Sequence, residues 1–296
     1  MLNKYKLEYF SFKFLGKLLS VFGFRNLKYS AKFLAFIFFN ILRIRRKVVI
    51  KNLTIAFPHL DKKTIEKLAF KNYSSVAITF LEILNIEKMN RDEILSMVSQ
   101  NYDDIIQLKI FQNPIYKDQG VILLTAHIGN WELGAIAAGI FLNKSINVLV
   151  KNQKNIYVRD WIKGIREKFG NKQITVGTSV REIFKALKMN KTVGIVGDQR
   201  GPRDGVKVNF FSRKTSVFVG TASIALKVNC PVIIAFCIRN SEHKYDIILE
   251  EMEIPNNQLS TEEKILLFNQ NYMSFLEKTI KLYPDQWLWM HNIWKY

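Results

Sequence analysis

The sequence predicts an α/β fold: a mixed, mainly parallel central sheet flanked by helices, preceded by an N-terminal amphipathic helical region suited to docking on a membrane. Three observations carry that prediction. In the middle of the chain, short apolar runs rich in β-branched residues alternate with stretches of helical periodicity. Those runs are apolar enough to be covered on both faces, as parallel strands are. The first fifty residues are strongly basic, with aromatic and aliphatic residues interleaved at helical spacing.

The elements follow in order. Phe10, Phe14, Leu18, Val21 and Phe22 recur at helical spacing, while Lys6, Lys13, Lys17 and Ser20 keep a face of their own. This is the pattern of a helix lying in a membrane interface, or of an amphipathic helix covering a soluble domain. A second apolar run, Phe33 to Leu42, lies between Lys32 and Arg43. At about 1.5 Å per residue it is too short for a hydrocarbon core of about 30 Å, so it is expected either in one leaflet or docked on the core.

Residues 62–84 read as an amphipathic helix with Ile65, Leu68, Ala69, Tyr73, Val76 and Phe80 inward and Asp61 as its cap. Strands are expected at 120–125, 146–150, 192–196 and 232–236, with helices at 131–141, 158–169, 180–189 and 217–228 between them. Residues 261–283 read as a long helix started by a Ser260/Glu263 capping box. No repeat or low-complexity linker interrupts the chain, which divides most simply into residues 1–58, basic membrane-associating helices, and 59–296, one further domain.

Charge restricts the partners. With 44 Lys and Arg against 25 Asp and Glu, the formal net charge is +19, and an anionic partner is expected. The chain carries no zinc-finger or RNP-type signature, so the apolar-interleaved basic region favours an anionic membrane lipid over nucleic acid. No small-residue cleavage site follows the N-terminal apolar segment, so the chain is expected to stay on the cytoplasmic side. Cys230 and Cys237 lie in or beside apolar sequence with no metal-ligand spacing and read as buried, reduced thiols. No metal or cofactor is expected.

Chemistry concentrates in Thr125-Ala126-His127-Ile128-Gly129-Asn130-Trp131-Glu132, which leaves the first strong strand and opens a helix. Ligands bind at the carboxyl ends of strands in such sheets. Asn130 suits a helix N-cap and Gly129 a tight turn. A neutral His127 can take a proton from an attacking hydroxyl, and Glu132 on its other ring nitrogen would set the tautomer. The motif supplies no nucleophile, which favours direct attack by a substrate hydroxyl, or by water in a hydrolase, over a covalent intermediate. Taken alone, the pair also fits a buried histidine beside a helix cap.

Other segments supply context. Asn52-Leu53-Thr54-Ile55-Ala56-Phe57-Pro58, the His127 motif, Gly197-Asp198-Gln199-Arg200-Gly201, Val208-Asn209-Phe210-Phe211, Gly220-Thr221-Ala222 and the ending Gln286-Trp287-Leu288-Trp289-Met290-His291 occur in this order. In them the chain resembles the lysophospholipid acyltransferase superfamily, whose signature is His, four residues, then Asp or Glu. Within it the resemblance is to bacterial lipid A late acyltransferases, the lauroyl and myristoyl branch. Trp131 and Asn130 depart from the enterobacterial versions.

That resemblance implies transfer of an acyl chain from an acyl carrier protein thioester to a hydroxyl of a lipid A precursor, at the cytoplasmic face of the inner membrane. It implies His127 as general base, Glu132 as its orienting partner, and Arg166 near the reacting centre, where a fixed positive charge would stabilise an oxyanion. Arg166 reads equally as a surface cation. Asp198 falls at a strand end and suits orienting Arg166 or contacting sugar hydroxyls, or else capping a turn. Gly220 and Thr221 suit close approach to acyl or phosphate groups, or a tight helix start. Lys207 and Arg213, with Lys214, suit a lipid phosphate or solvent. Trp287, Trp289 and Trp294 suit the membrane interface or core packing. Another phospholipid or glycolipid acceptor fits the same motif.

Overall fold

The computed structural model describes residues 2–20, 27–98, 119–151, 153–176, 179–253 and 258–295. Four helices lead the chain: α1 (Leu2–Ser20), α2 (Leu27–Phe36), α3 (Arg46–Ala56) and α4 (Lys62–Ile86), with a π-helical turn at Ile37–Ile41 between α2 and α3. A short α5 (Arg91–Met97) follows. The proposed positions Val21 and Phe22 lie outside the described residues.

Strands and helices then alternate: β1 (Val121–Thr125), α6 (Trp131–Phe141), β2 (Ile146–Val150), α7 (Ile156–Lys168), β3 (Lys172–Thr175), α8 (Ser179–Lys188) and β4 (Thr192–Val196). The β5 (Lys207–Phe210) and β6 (Arg213–Ser216) hairpin precedes α9 (Gly220–Val228), β7 (Val232–Arg239), β8 (Tyr245–Met252) and α10 (Thr261–Leu282). The six-stranded sheet has the order β3-β2-β4-β1-β7-β8, parallel except for the final β7–β8 pair. This is the expected mixed, mainly parallel sheet with helices on its faces.

Local signals account for the boundaries. Asp61 Oδ1 accepts the Thr64 amide at 2.8 Å, and Ser260 and Glu263 close the capping box at the start of α10. The helix expected from Val217 starts instead at Gly220, because Val217 donates its amide to Val206 and pairs with Arg200. β3 and β8 escape the sequence because edge strands are half-exposed, and β8 carries Asp246, Glu250 and Glu251. Central β1 is buried through Ile122, Leu123 and Leu124.

The run from Phe33 to Leu42 divides its faces: Leu34, Ala35 and Phe39 are buried, while Phe33, Phe36, Ile41 and Leu42 are exposed. α3 enters the main core through Val49, Leu53 and Ala56, and Asn52 Nδ2 donates to the carbonyls of Trp289 and His291 at 2.9 and 2.7 Å. Trp287, Trp289 and Trp294 are core residues rather than interfacial ones: Trp287 and Trp289 meet edge-on, and all three pack on Phe210 or Phe211. The C-terminal segment is therefore an internal strap between the N-terminal helices and the sheet. Among the described residues no helix is long and apolar enough to cross a membrane.

Candidate active site

β1 and β4 are parallel neighbours with Thr125 opposite Val196, and the Gly197 amide donates to the Thr125 carbonyl at 2.9 Å. Two residues beyond each strand end stand His127 and Asp198. The register alone thus brings them side by side, at the carboxyl edge where the parallel strands open a crevice. His127 Nδ1 lies 2.7 Å from Asp198 Oδ1, and the His127 amide donates to Oδ2 at 2.9 Å. The Trp287 indole donates to the same Oδ2 at 2.8 Å.

Asp198 is therefore the carboxylate that orients His127, a role the sequence suggested for Glu132. Glu132, in the first turn of α6, turns toward α7 and accepts a two-pronged bond from Arg166, Nε to Oε2 at 2.9 Å and Nη2 to Oε1. Nor does Asp198 orient Arg166: three donors converge on it, from the His127 ring, its backbone and Trp287. Glu132 still acts on His127 through its charge, and the His127 ring meets Trp131 edge-on with centroids 4.9 Å apart.

Electrostatics follow from this arrangement. Burial opposes a charge on His127, but the Asp198 carboxylate, its hydrogen bond and the Glu132 charge outweigh it and raise the imidazole pKa above 6.5. Burial likewise opposes the Asp198 carboxylate, yet His127 and the Trp287 indole hold its pKa below 3.8. With Asp198 ionised, Nδ1 carries the proton and Nε2 keeps a lone pair. The His127 side chain is 19% exposed against 3% for Asp198, so the ring and not the carboxylate is open to solvent.

The loop bearing His127 is held from three sides. Gly129 has φ +59°, and a Cβ there would sit 1.9 Å from the Cys237 carbonyl oxygen, so only glycine fits. Asn130 caps α6 by accepting the Leu133 amide at 3.0 Å, gives its amide to the Cys237 carbonyl and donates Nδ2 to Glu82. Thr79 of α4 donates to the Gly129 carbonyl, and the strap pairs Leu288 with His127 and Gln286 with Gly129. Beneath lies a buried network in which Arg239 binds Ser75, Thr79, Glu82 and Tyr245. Sequence reasoning did not assign Trp287, Thr79, Glu82 or Arg239 to the site, because each acts from a distant element.

An apolar cavity opens beside the histidine. Thr125 and Trp131 line it at the crevice end, and it runs between α6 and the sheet past Gly134, Ala138, Gly194 and Leu249. Small residues on both walls make the space: a Cβ on Gly194 would already lie 3.2 Å from Ile146 Cγ2.

The remaining sequence candidates lie farther out. Lys207 and Arg213 are exposed on the β5–β6 hairpin, whose Val208 and Phe210 are buried. Gly220 faces open space at the uncapped start of α9, and Thr221 is half-buried beside it. His291 accepts the Arg200 amide through Nε2, and burial lowers its pKa. Burial also raises the thiol pKa values, Cys230 to about 11 and Cys237 further.

The family model described as bacterial lipid A biosynthesis acyltransferase matches residues 3–296. The chain is similar to the lipid A biosynthesis lauroyltransferase of Escherichia coli (strain K12), 23% identical over 257 residues, covering 86% of this chain and 80% of the relative. It is 20% identical over 256 residues, with the same coverage, to the lipid A biosynthesis palmitoleoyltransferase of that organism and to a lipid A biosynthesis acyltransferase of Shigella flexneri.

Proposed function

Because the chain belongs to the bacterial lipid A biosynthesis acyltransferase family and is an acyltransferase, we propose that it moves a fatty acyl chain from an acyl carrier protein thioester to a hydroxyl of a lipid A precursor, at the cytoplasmic face of the inner membrane, with His127 as general base. The observation that carries this reading is the 2.7 Å contact between His127 Nδ1 and Asp198, which takes up Nδ1 and makes Nε2 the nitrogen to act as base.

In this mechanism Nε2 takes the proton of the acceptor hydroxyl as its oxygen attacks the thioester carbonyl. Asp198 stabilises the imidazolium that forms. The tetrahedral intermediate collapses with cleavage of the C–S bond, and the imidazolium returns its proton to the departing thiolate. Arg166 has Nε and Nη2 committed to Glu132, so it and Glu132 form a fixed ion pair beside the ring. The cationic end of that pair supports the developing oxyanion without reorganising.

The apolar cavity beside Trp131 takes the acyl chain, since burying methylene groups stabilises by about 0.8 kcal/mol each. The net charge of +19 draws in both an acidic carrier protein and a phosphorylated lipid, and Lys207, Arg213 and the open N-terminus of α9 at Gly220 and Thr221 are the groups available for phosphate. The test is an acyl-transfer assay with carrier-protein thioester and lipid A precursor, read by product mass. An increment of one acyl residue is expected. Transfer only to lysophospholipid or to another glycolipid would reassign the acceptor, and release of free fatty acid would make the enzyme a hydrolase.

A further inference from the structure

We infer that the carboxyl edge of the sheet, the edge bearing His127, is the face that enters an anionic bilayer, and that the loops after β2, β3 and β4 make a contact of their own beside α1. The inference deepens the proposed acylation of a membrane lipid and takes its purpose from it, but its evidence is the placement of exposed side chains.

Three of the strands that end at this edge, β2, β3 and β4, are followed by an apolar residue turned outward. Ile156 opens α7 after β2. Val176 follows β3, its amide donating to the Val150 carbonyl, and Val180 lies just beyond in α8. Past β4, Arg200 pairs with Val217, which sets Phe218 beside the crevice. Val180 and Phe218 are 59% and 57% exposed. Burying such groups in protein is the rule, so an exposed cluster at one edge marks a contact surface.

Two further elements converge on the same edge. Asn155, in the loop after β2, donates to the Tyr5 carbonyl and to Glu8, which ties α1 across the start of α7. From there α1 presents Leu7, Phe10 and Phe14 as one exposed ridge at i, i+3 and i+7. On the other side of His127, Arg45 Nη1 donates to the Met290 carbonyl, which brings the exposed turn of Ile41, Leu42 and Ile44 to the strap.

Charge complementarity selects the occupant. Lys4, Lys6, Lys151, Lys154, Arg181 and Arg203 are exposed among these apolar residues. At the opposite edge Lys144, Lys172 and Lys191 are exposed at the starts of β2, β3 and β4, while β8 ends near Glu250 and Glu251 with Met252 opposite Val232, so it is the exposed apolar residues among the cations that mark the carboxyl edge. Basic and apolar groups together suit a bilayer surface of anionic headgroups over acyl chains. With this face down, an acceptor hydroxyl reaches Nε2 without leaving the lipid.

The experiment measures partitioning of the full chain onto vesicles of phosphatidylethanolamine and phosphatidylglycerol. The double variant Val180→Ser/Phe218→Ser should bind about tenfold or more weakly, because each side chain loses an apolar burial worth a large part of tenfold or more in affinity. The control Leu266→Ser/Leu267→Ser, an exposed pair on α10, should stay within about twofold of the parent. Thermal unfolding of both variants checks the fold. Equal binding by parent and V180S/F218S overturns the inference, as does equal weakening by the control. So does a fall in oligomer mass for V180S/F218S without vesicles, which would make the face a contact with a second copy. Loss of binding by V180S/F218S in a protein that shows no acyl transfer would leave the docking face standing and remove the proposed reaction.

Discussion

Replacing Asp198 by asparagine tests the orientation of His127 most directly. Two donors, the His127 amide and the Trp287 indole, converge on Oδ2, while the ring nitrogen faces Oδ1. An asparagine must put its amide nitrogen at one of these positions. If nitrogen replaces Oδ2, two buried donors lose their acceptor, each at about 1–3 kcal/mol. The amide therefore turns its nitrogen to the ring, Nδ1 becomes the acceptor, and the proton moves to Nε2, where the base is needed. A preference of about 2–6 kcal/mol corresponds to a depletion of the active tautomer of roughly 30- to 10⁴-fold. We expect Asp198→Asn to lower kcat by roughly 10³- to 10⁴-fold, as loss of an orienting aspartate does in a comparable triad, with the fold retained. The assay is single-turnover acyl transfer followed by product mass, beside a thermal melt. Transfer within threefold of the parent would refute the assignment of Asp198 as the orienting carboxylate.

The other expectations concern the same crevice. Activity should rise with pH through a midpoint above 6.5, because the raised pKa of His127 must be passed before the ring is neutral. Stability should move the other way. The contribution of the pair is full below about 6.5 and fades as pH rises through the folded value of His127; on the acid side it is present above 3.8 and is lost as pH falls through the lowered value of Asp198. Melting curves across pH 3–9, compared with those of a His127→Gln variant, check both limbs. Glu132→Gln should reduce the rate while moving the pH midpoint only slightly downward, since its charge is the smaller influence on His127; a midpoint shift as large as that of Asp198→Asn would contradict the division of roles. Ala138→Leu, which adds three carbons to the cavity wall, should shorten the transferred chain, seen as product masses lower by two-carbon steps. Arg239→Met leaves Glu82 buried without its cation and should destabilise by about 3–5 kcal/mol, read as a lower Tm.

Much of the architecture was already visible along the chain. The alternation of buried strand runs with amphipathic helices is a local property, and it specified the parallel core, with Asp61 and Ser260 marking helix starts. His127 was legible because it follows an unbroken apolar strand and precedes a capped helix. Asp198 stood in the equivalent place after β4, but its role was not legible, since nothing in sequence states that β4 lies next to β1. The edge strands were missed because half-exposed strands lack a continuous apolar run.

By itself the sequence determined the mixed α/β class, the basic and apolar N-terminus, and the family through ordered short motifs spread over the chain. Tertiary structure decided which carboxylate serves the histidine. The β1–β4 register joins residues 71 positions apart, the first turn of α6 sends Glu132 to Arg166 on another helix, and the C-terminal strap delivers Trp287 to the far oxygen of Asp198. Spacing within a motif sets which residues start near one another, whereas strand register and helix direction set where their side chains end.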